Sequence, residues 1–327
     1  MLEQESILIT GGAGYVGSHI ALELLDTGYK VVVVDDLSNS TSALVPKRAH
    51  FEIADIRGRD RMASIMRSHC IDTVIHCAGS TVVPASVSDP ISYYMNNVGG
   101  SLELFEAMRE TGVRRVLFSS SAAIYSVDGA KPIAESAPLG PASPYGASKM
   151  MVERIIEDIA AAGELEFIIL RYFNVAGADA QGRSGQSTPA ATHLIKIAVE
   201  VALAKREALE IYGTDWPTPD GTGVRDFIHV SDLARAHRLA FEALANGAGN
   251  RIYNCGYGHG YSVREVVQAL EDVTRRHLPT RIAPRRPGDL AAVVADSTAL
   301  QENLGWTPQH DDLKEILRHA LAWEKQI

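Results

Sequence analysis

The sequence is poor in cysteine, in aromatic side chains and in long apolar runs, and it has no excess of positive charge. Its three cysteines, Cys70, Cys77 and Cys255, stand apart, with no CxxC pair and no Cys/His spacing suited to zinc. Neither a disulfide framework nor a metal is therefore expected. A formal net charge of −9, with no run of Lys and Arg at either end, argues against nucleic acid as a partner. The opening Met1-Leu2-Glu3-Gln4-Glu5 is acidic, and the apolar stretch after it is interrupted by Gly11 and Gly12. Neither a signal peptide nor a membrane span fits such a start, so a cytoplasmic protein without a membrane partner is expected. Internal repeats and low-complexity tracts are also missing.

What is there is a 327-residue chain, 46% hydrophobic, long enough for one or two domains with a sizeable core. From Ile7 to about Gly177, short β-branched runs alternate with helical patterns, as in a parallel sheet covered on both faces. The runs 7–10, 31–35, 51–53, 73–76, 116–119 and 167–170 each read as a buried strand. Between the first two, Val16, Ile20, Ala21 and Leu24 recur on one helical face, and Gly28 stands where a C-cap belongs. Beyond Gly177 the composition shifts. Ala178 to Pro189 and Thr214 to Gly223 read as loops, whereas Arg251-Ile252-Tyr253-Asn254-Cys255 reads as one more core strand. A second domain built from segments that leave the first and return to it follows: 1–177 with about 228–258, and about 178–227 with 259–327.

Thr10-Gly11-Gly12-Ala13-Gly14-Tyr15-Val16-Gly17 follows the first strand and opens the first helix. In that context Gly11 permits the tight turn, Gly14 brings backbone N–H groups to a pyrophosphate, and Gly17 lets helix and strand pack closely. Asp35, at the end of the second strand, can accept from ribose hydroxyls and would repel a 2′-phosphate; Asp36 adds a second charge. NAD is thus expected rather than NADP. Asp55-Ile56 and Cys77-Ala78-Gly79 lie at the next carboxyl ends, although Asp55 could equally cap the helix starting near Asp60.

Tyr145 and Lys149 are spaced i and i+4 on a helix beginning near Pro144, so phenol and ammonium can converge. A free tyrosine is a poor base at neutral pH, but a nearby lysine and a cationic nicotinamide favour the phenolate. Ser119-Ser120-Ser121 ends the fifth strand, and Ser121 is the hydroxyl best placed to join them.

TGGAGYVGSH, DIR, SSSAAIY, SPYGASK, RYFNVAGA, DGTGVRDFIHVSDLA and APRRPGD together resemble the extended short-chain dehydrogenase/reductase family, and within it the UDP-glucose 4-epimerases. The resemblance runs along nearly the whole chain. It implies an α/β fold, a Rossmann-type doubly wound parallel sheet with a smaller α/β domain for the substrate. It also implies tightly held NAD, a UDP-sugar substrate and a homodimer formed through helices spanning roughly Ile91 to Glu110 and Tyr145 to Ala161. By that resemblance Tyr145 takes the proton of the hexose 4-hydroxyl, Ser121 polarises the oxygen, and Lys149 holds the nicotinamide ribose. Tyr15, Val16, Asn39, Asn96 and Tyr172 join the cofactor set. Asn174, His193, Leu194, Arg225, Arg286, Asp289 and Val293 fall at nucleotide-sugar positions.

Three departures bear on specificity. Thr81 stands where many family members have lysine, Phe227 where tyrosine is frequent, and Val293 where a bulky tyrosine often guards the sugar. The smaller Val293 implies room for N-acetylated hexoses beside glucose and galactose. A 4,6-dehydratase would need a carboxylate where Ser121-Ala122-Ala123 has none, and Asp35 argues against an NADPH-dependent reductase. A UDP-pentose 4-epimerase would use the same residues, and an inactive NAD-binding regulator is the reading from another class.

Overall fold

The computed structural model describes residues 5–126, 131–188, 192–286 and 289–327. Met1 to Gln4 of the acidic start, Pro189 at the end of the first loop and Pro287-Gly288 of the RRPGD motif lie outside them. In chain order the first elements are β1 (Ser6–Thr10), α1 (Tyr15–Asp26), β2 (Lys30–Asp35), β3 (His50–Ile53), α2 (Arg59–Ser68) and β4 (Thr73–His76). Next come α3 (Val83–Ser88), α4 (Pro90–Tyr94), a π-helical turn (Met95–Gly99), α5 (Gly100–Thr111) and β5 (Arg115–Ser121). A 3-10 turn (Ala122–Ile124) then leads towards α6 (Pro144–Ala161) and β6 (Glu166–Tyr172). The chain continues with β7 (Asn174–Ala176), α7 (Leu194–Ala202), β8 (Leu209–Tyr212), β9 (Val224–Arg225), β10 (Phe227–His229), α8 (Val230–Ala245) and β11 (Arg251–Cys255). It ends with β12 (Tyr261–Ser262), α9 (Val263–Thr274), β13 (Thr280–Ala283), β14 (Ala292–Val293), α10 (Thr298–Leu304) and α11 (Leu313–Glu324).

Contacts divide the chain into two units. The first is Met1–Tyr125, Leu139–Arg171 and Ala234–Tyr253; the second is Ser126–Pro138, Tyr172–Leu233 and Asn254–Ile327. The sequence expectation kept 126–138, 172–177, about 228–233 and about 254–258 in the first domain, whereas the contacts group them with the second. For the excursion the reason is visible: Ile133 N–H bonds Val294 O at 2.8 Å, and Asn254 Nδ2 donates to Ile133 O at 2.7 Å.

In the first unit the strands run in the order β11-β6-β5-β4-β1-β2-β3. Parallel pairing sets Thr10 opposite both Val34 and His76, so the chain direction of strand addition reverses between β1 and β4. This is the expected doubly wound sheet. Its strands are apolar on both faces: Leu8, Val32, Val74, Phe118 and Ile169 meet Met62, Met66, Leu104, Met108, Val152 and Ile156 in one core, and the alternate residues Ile7, Ile9, Val33, Ile75 and Leu117 are buried too. Each such side chain contributes roughly 1.5–3 kcal/mol on burial. One strand departs from the expectation: β3 closes an edge, and Ile53 is 63% exposed rather than buried. Gly28, at φ +97°, ends α1 as a left-handed C′ residue, its successor Tyr29 bonding back to Leu24 O at 2.9 Å.

The second unit is held by short ladders and buried polar bonds. β7 pairs with β10, β13 with β8, and β12 and β14 flank β9. Trp306, fully buried, donates to Asp232 O at 3.0 Å, while the Asp232 carboxylate accepts from Tyr257 Oη at 2.6 Å and from His310 N–H at 2.9 Å. Among the described residues no helix is long and apolar enough to cross a membrane.

Candidate active site

The glycine turn shows why the residues must be small. Gly11 adopts φ +68°, and a Cβ there would lie 2.7 Å from Ala78 N, where the turn passes over the end of β4. A Cβ on Gly17 would lie 2.3 Å from Gly11 O, so only glycine lets α1 start this close to the turn. Gly14 is the extended N-cap of α1, with no side-chain cap and no acidic residue in the first turn. A helix start without a side-chain cap or an acidic first turn suits an anion. Asp35 braces the turn: its carboxylate accepts from Ala13 N–H at 3.0 Å, Leu37 N–H at 2.9 Å and Ser40 Oγ at 2.6 Å, which fixes its orientation. Tyr15 and Val16 open α1, and Asn39 is exposed just beyond Asp36. These features fit a dinucleotide cofactor.

Asp55 does not cap α2. It is paired to Arg57, whose Nε lies 2.9 Å from Oδ2, and the N-cap of α2 is Gly58, with no side-chain cap. Ile56 is buried, its Cδ1 2.8 Å from where a Cβ on Gly100 would sit.

At the end of β4 a buried histidine joins two elements. His76 Nδ1 accepts from Thr10 Oγ1 at 2.8 Å, and its Nε2–H donates to Ser101 Oγ at 2.9 Å, which donates onward to Asn97 O at 2.5 Å. This one-way chain keeps the ring neutral, and burial pushes its pKa down to about 3. Cys77 Sγ lies 3.1 Å from Ser119 Oγ, and burial pushes the thiol up to about 11. The loop beyond Gly79 is pinned by both asparagines of the π-helical turn. Asn97 accepts from Ser80 N–H at 2.7 Å and donates to Ser148 Oγ at 2.9 Å, and Asn96 donates to Ser80 Oγ at 3.0 Å. Thr81 is exposed. The sequence reading singled out Asn96 and missed Asn97, since nothing in the residue pattern announces a five-residue turn inside a helix.

Ser121 and Tyr145 come together, and Lys149 follows one turn later on α6. Ser143 caps α6 through Gly146 N–H at 3.2 Å, with Pro144 next, so the helix begins one residue before Tyr145. Gly146 is required by closeness, because a Cβ there would stand 2.3 Å from Ala123 O in the 3-10 turn after β5. That contact carries Tyr145 onto Ser121. The Tyr145 phenol is raised above its ordinary pKa by burial, while a hydrogen bond with Ser121 pulls it down. Lys149 donates to Ser119 O at 2.8 Å rather than to the phenol, and burial lowers it to about 8. Burial is thus the largest influence on the Tyr145 phenol, and the Lys149 ammonium is directed to a backbone carbonyl.

In the second unit, register pairing sets Val293 opposite Arg225 in the β14–β9 ladder. Arg225 Nη2 lies 4.0 Å from Asp289 Oδ1, and the Arg286 guanidinium stacks 3.7 Å from the centre of the Tyr212 ring. These four expected residues thus share one neighbourhood with Tyr212, which the sequence reading did not single out. Asn174 opens β7, its N–H on Asp226 O at 3.0 Å. Asp226, also missed, is fully buried; its carboxylate takes the N–H of Tyr257, Gly258 and Ala295, and burial raises it to about 6. His193 and Leu194 begin α7, with Gln186 Nε2 3.4 Å from the histidine ring. Phe227 is buried in β10, and Tyr172, half-buried, ends β6.

Residues 7–256 match the family model described as the NAD dependent epimerase/dehydratase family. A curated UDP-glucose 4-epimerase of Azospirillum brasilense is 50% identical over 321 residues, covering 98% of this chain and 92% of the relative. The crystal structure of a UDP-glucose 4-epimerase from Stenotrophomonas maltophila, with bound NAD and formylated UDP-arabinopyranose, superposes with a TM-score of 0.95. It is 40% identical, over 99% of this chain and 98% of that one. The UDP-Glc/GlcNAc 4-epimerase of Campylobacter jejuni gives a TM-score of 0.85 at 39% identity, over 99% of this chain and 100% of that one. With the glycine cradle, the strand order and the Ser121–Tyr145–Lys149 grouping in place, the chain belongs to the NAD-dependent epimerase/dehydratase family.

Proposed function

We propose that the chain interconverts UDP-glucose and UDP-galactose by inverting carbon 4 of the hexose through a 4-keto intermediate. The observation that carries this reading is the buried Tyr145 phenol bonded to Ser121, with Lys149 one turn along the same helix. Bound NAD supplies the hydride acceptor and donor and a positive charge near the phenol, and it is regenerated in each cycle. Tyr145 takes the proton of the 4-hydroxyl and later returns it, Ser121 orients that oxygen, and Lys149 binds the nicotinamide ribose. The cofactor is held by Gly11, Gly14, Tyr15, Val16 and Gly17 at the start of α1, by Asp35 and Asn39, and by Asp55, Ile56, Cys77, Ala78, Gly79, Asn96 and Tyr172. Redox chemistry without net oxidation suits a protein whose residues bind, orient and move one proton.

Asn174, His193, Leu194, Arg225, Arg286 and Asp289 hold the nucleotide sugar, the arginines facing the diphosphate because a guanidinium is planar and always charged. Val293, set beside Arg225 by the ladder, leaves space at the sugar and favours acceptance of N-acetylated hexoses. A UDP-pentose 4-epimerase is the second reading; the Stenotrophomonas relative holds a UDP-arabinopyranose derivative. The first unit is the cofactor domain and the second the nucleotide-sugar domain. We also propose a homodimer, supported by exposed Val83, Val87, Ile91, Met95, Leu102 and Met151 on α3–α6 and the turn between them. A cytoplasmic setting agrees with three free cysteines.

The test is NMR of UDP-galactose with the purified protein and no added cofactor. Conversion to UDP-glucose, lowered about 10²–10⁴-fold in Tyr145→Phe, is expected. An unchanged spectrum, with UDP-xylose and added NAD also unreactive, would refute the epimerase reading.

A further inference from the structure

Three consecutive serines at the end of β5 each address one side chain of α6. Ser119 accepts from Lys149 through its carbonyl, Ser121 bonds Tyr145, and Ser120 Oγ donates to a carboxylate oxygen of Glu153. Tyr145, Lys149 and Glu153 follow one another at steps of four, so they lie on one face of the helix. The first two are the proposed catalytic pair. Glu153 has no part in that chemistry, yet it is 3% exposed.

Its partner is Arg171 on β6. Arg171 Nη2 donates to Glu153 Oε2 at 2.6 Å and Nε lies 3.1 Å from each carboxylate oxygen, while Nη1 donates to Tyr125 Oη at 3.0 Å. Both side chains of the ion pair are at most 5% exposed. A buried ion pair is costly to desolvate, and a well-packed apolar pair is often as stable, so stability alone is a weak reason for it.

Resting on the epimerase reading above, we propose that Glu153 is a positioning residue: with Arg171 and Ser120 it sets the register of α6 against β5, and its charge keeps Lys149 an ammonium. The titratable groups acting on Lys149 are Cys77 and His76 at the end of β4 and Glu153 on its own helix, with Tyr145 one turn before it on α6. Arg171 acts through Glu153, and His237 of α8 through the Ser119 hydroxyl, 2.9 Å away. The Cys77 thiol is neutral at working pH, since burial holds it at about 11, and His76 is held neutral by its hydrogen bonds. Glu153 is thus the fixed negative charge of this set. Burial drives Lys149 down to about 8, and Glu153 opposes that fall. Without Glu153, the Arg171 guanidinium loses its bidentate carboxylate, and its positive charge pushes Lys149 in the same direction as burial.

The experiment compares wild type with Glu153→Gln, which keeps shape and removes charge, with Glu153→Asp, which keeps charge, and with Ser120→Ala, which removes one bond only. Lys149 is titrated directly by NMR of ¹³Cε-labelled lysine, its resonance identified by its loss in Lys149→Met, and kcat is measured against pH. In Glu153→Gln the Lys149 midpoint falls by about one unit or more. The alkaline limb of kcat moves down equally, so turnover near pH 8 drops several-fold or more while KM changes little. Glu153→Asp restores the wild-type limb, and Ser120→Ala leaves it in place. An unmoved Lys149 midpoint in a folded Glu153→Gln, with activity lost only in proportion to melting temperature, would overturn the proposal. Should wild type itself fail to epimerise, the proposed function falls, and the Lys149 titration still decides the role of Glu153.

Discussion

Acid should loosen the first unit through one histidine. His76 is buried and neutral, accepting from Thr10 and donating to Ser101. A second proton would place Nδ1–H against the Thr10 hydroxyl and a cation in the core. Its folded pKa, about 3, is depressed below the unfolded value near 6.5, so the unfolded chain binds the extra proton. The stability that neutral His76 confers is therefore complete above pH 6.5 and is lost as pH falls, until it levels off near pH 3. At 1.36 kcal/mol per unit, the loss reaches about 2 kcal/mol at pH 5 and about 5 kcal/mol over the whole window. The assay is urea unfolding at intervals from pH 7.5 to 5, for wild type and His76→Gln, with the same NAD occupancy. Gln can accept from Thr10 and donate to Ser101 but cannot protonate. All other titrating groups are common to both proteins and cancel in the difference. Wild type should be the more stable at pH 7.5, with its advantage shrinking by about 2 kcal/mol at pH 5. Two unfolding curves that stay parallel across this range would refute the reasoning.

Two further substitutions test the packing of the site. Gly146→Ala drives a Cβ against Ala123 O, a backbone atom that cannot step aside. We expect kcat to fall at least 10²-fold, with melting displaced by no more than one ordinary destabilising mutation, about 0.5–3 kcal/mol; wild-type turnover would contradict the close-approach account. Val293→Tyr should cut kcat/KM for UDP-N-acetylglucosamine by 10-fold or more and leave UDP-glucose within about 3-fold, measured by competing the two substrates. Equal losses for both would mean that this position does not select the sugar.

Much of the site was legible because close backbone approach leaves only glycine. Gly11, Gly14 and Gly17 in one turn, after Ile7-Leu8-Ile9-Thr10, define a strand, a turn and a helix start at once, and the structure puts each where expected. Tyr145 and Lys149 were legible for a similar reason, since helical spacing alone puts them on one face. What escaped depends on long-range partners. Glu153 looks like any acid on an amphipathic helix until Arg171, eighteen positions on, arrives from a neighbouring strand. Asp226 reads as a polar residue between two short strands, yet three backbone amides converge on it from distant loops. Ile53 misled in the opposite direction: a β-branched residue in a short run reads as core, and only the strand order shows that β3 is an edge. The phenol of Tyr145 shows the same limit for electrostatics, because burial, which raises it, is not written in the local spacing.

The path of the chain through the seven-stranded sheet has a consequence for biosynthesis. β6 is made midway along the chain, but its outer neighbour β11 is encoded roughly eighty codons later, after the second unit's middle segment, Tyr172–Leu233, has been made. Until then the edge of β6, with its apolar Phe167-Ile168-Ile169-Leu170, has no strand to pair with and is open to other nascent chains. Neither unit can be finished before the other is largely synthesised, so their maturation is coupled in time. A polypeptide released after Arg171 should collect in the insoluble fraction, whereas one that includes Cys255 carries every strand of the sheet.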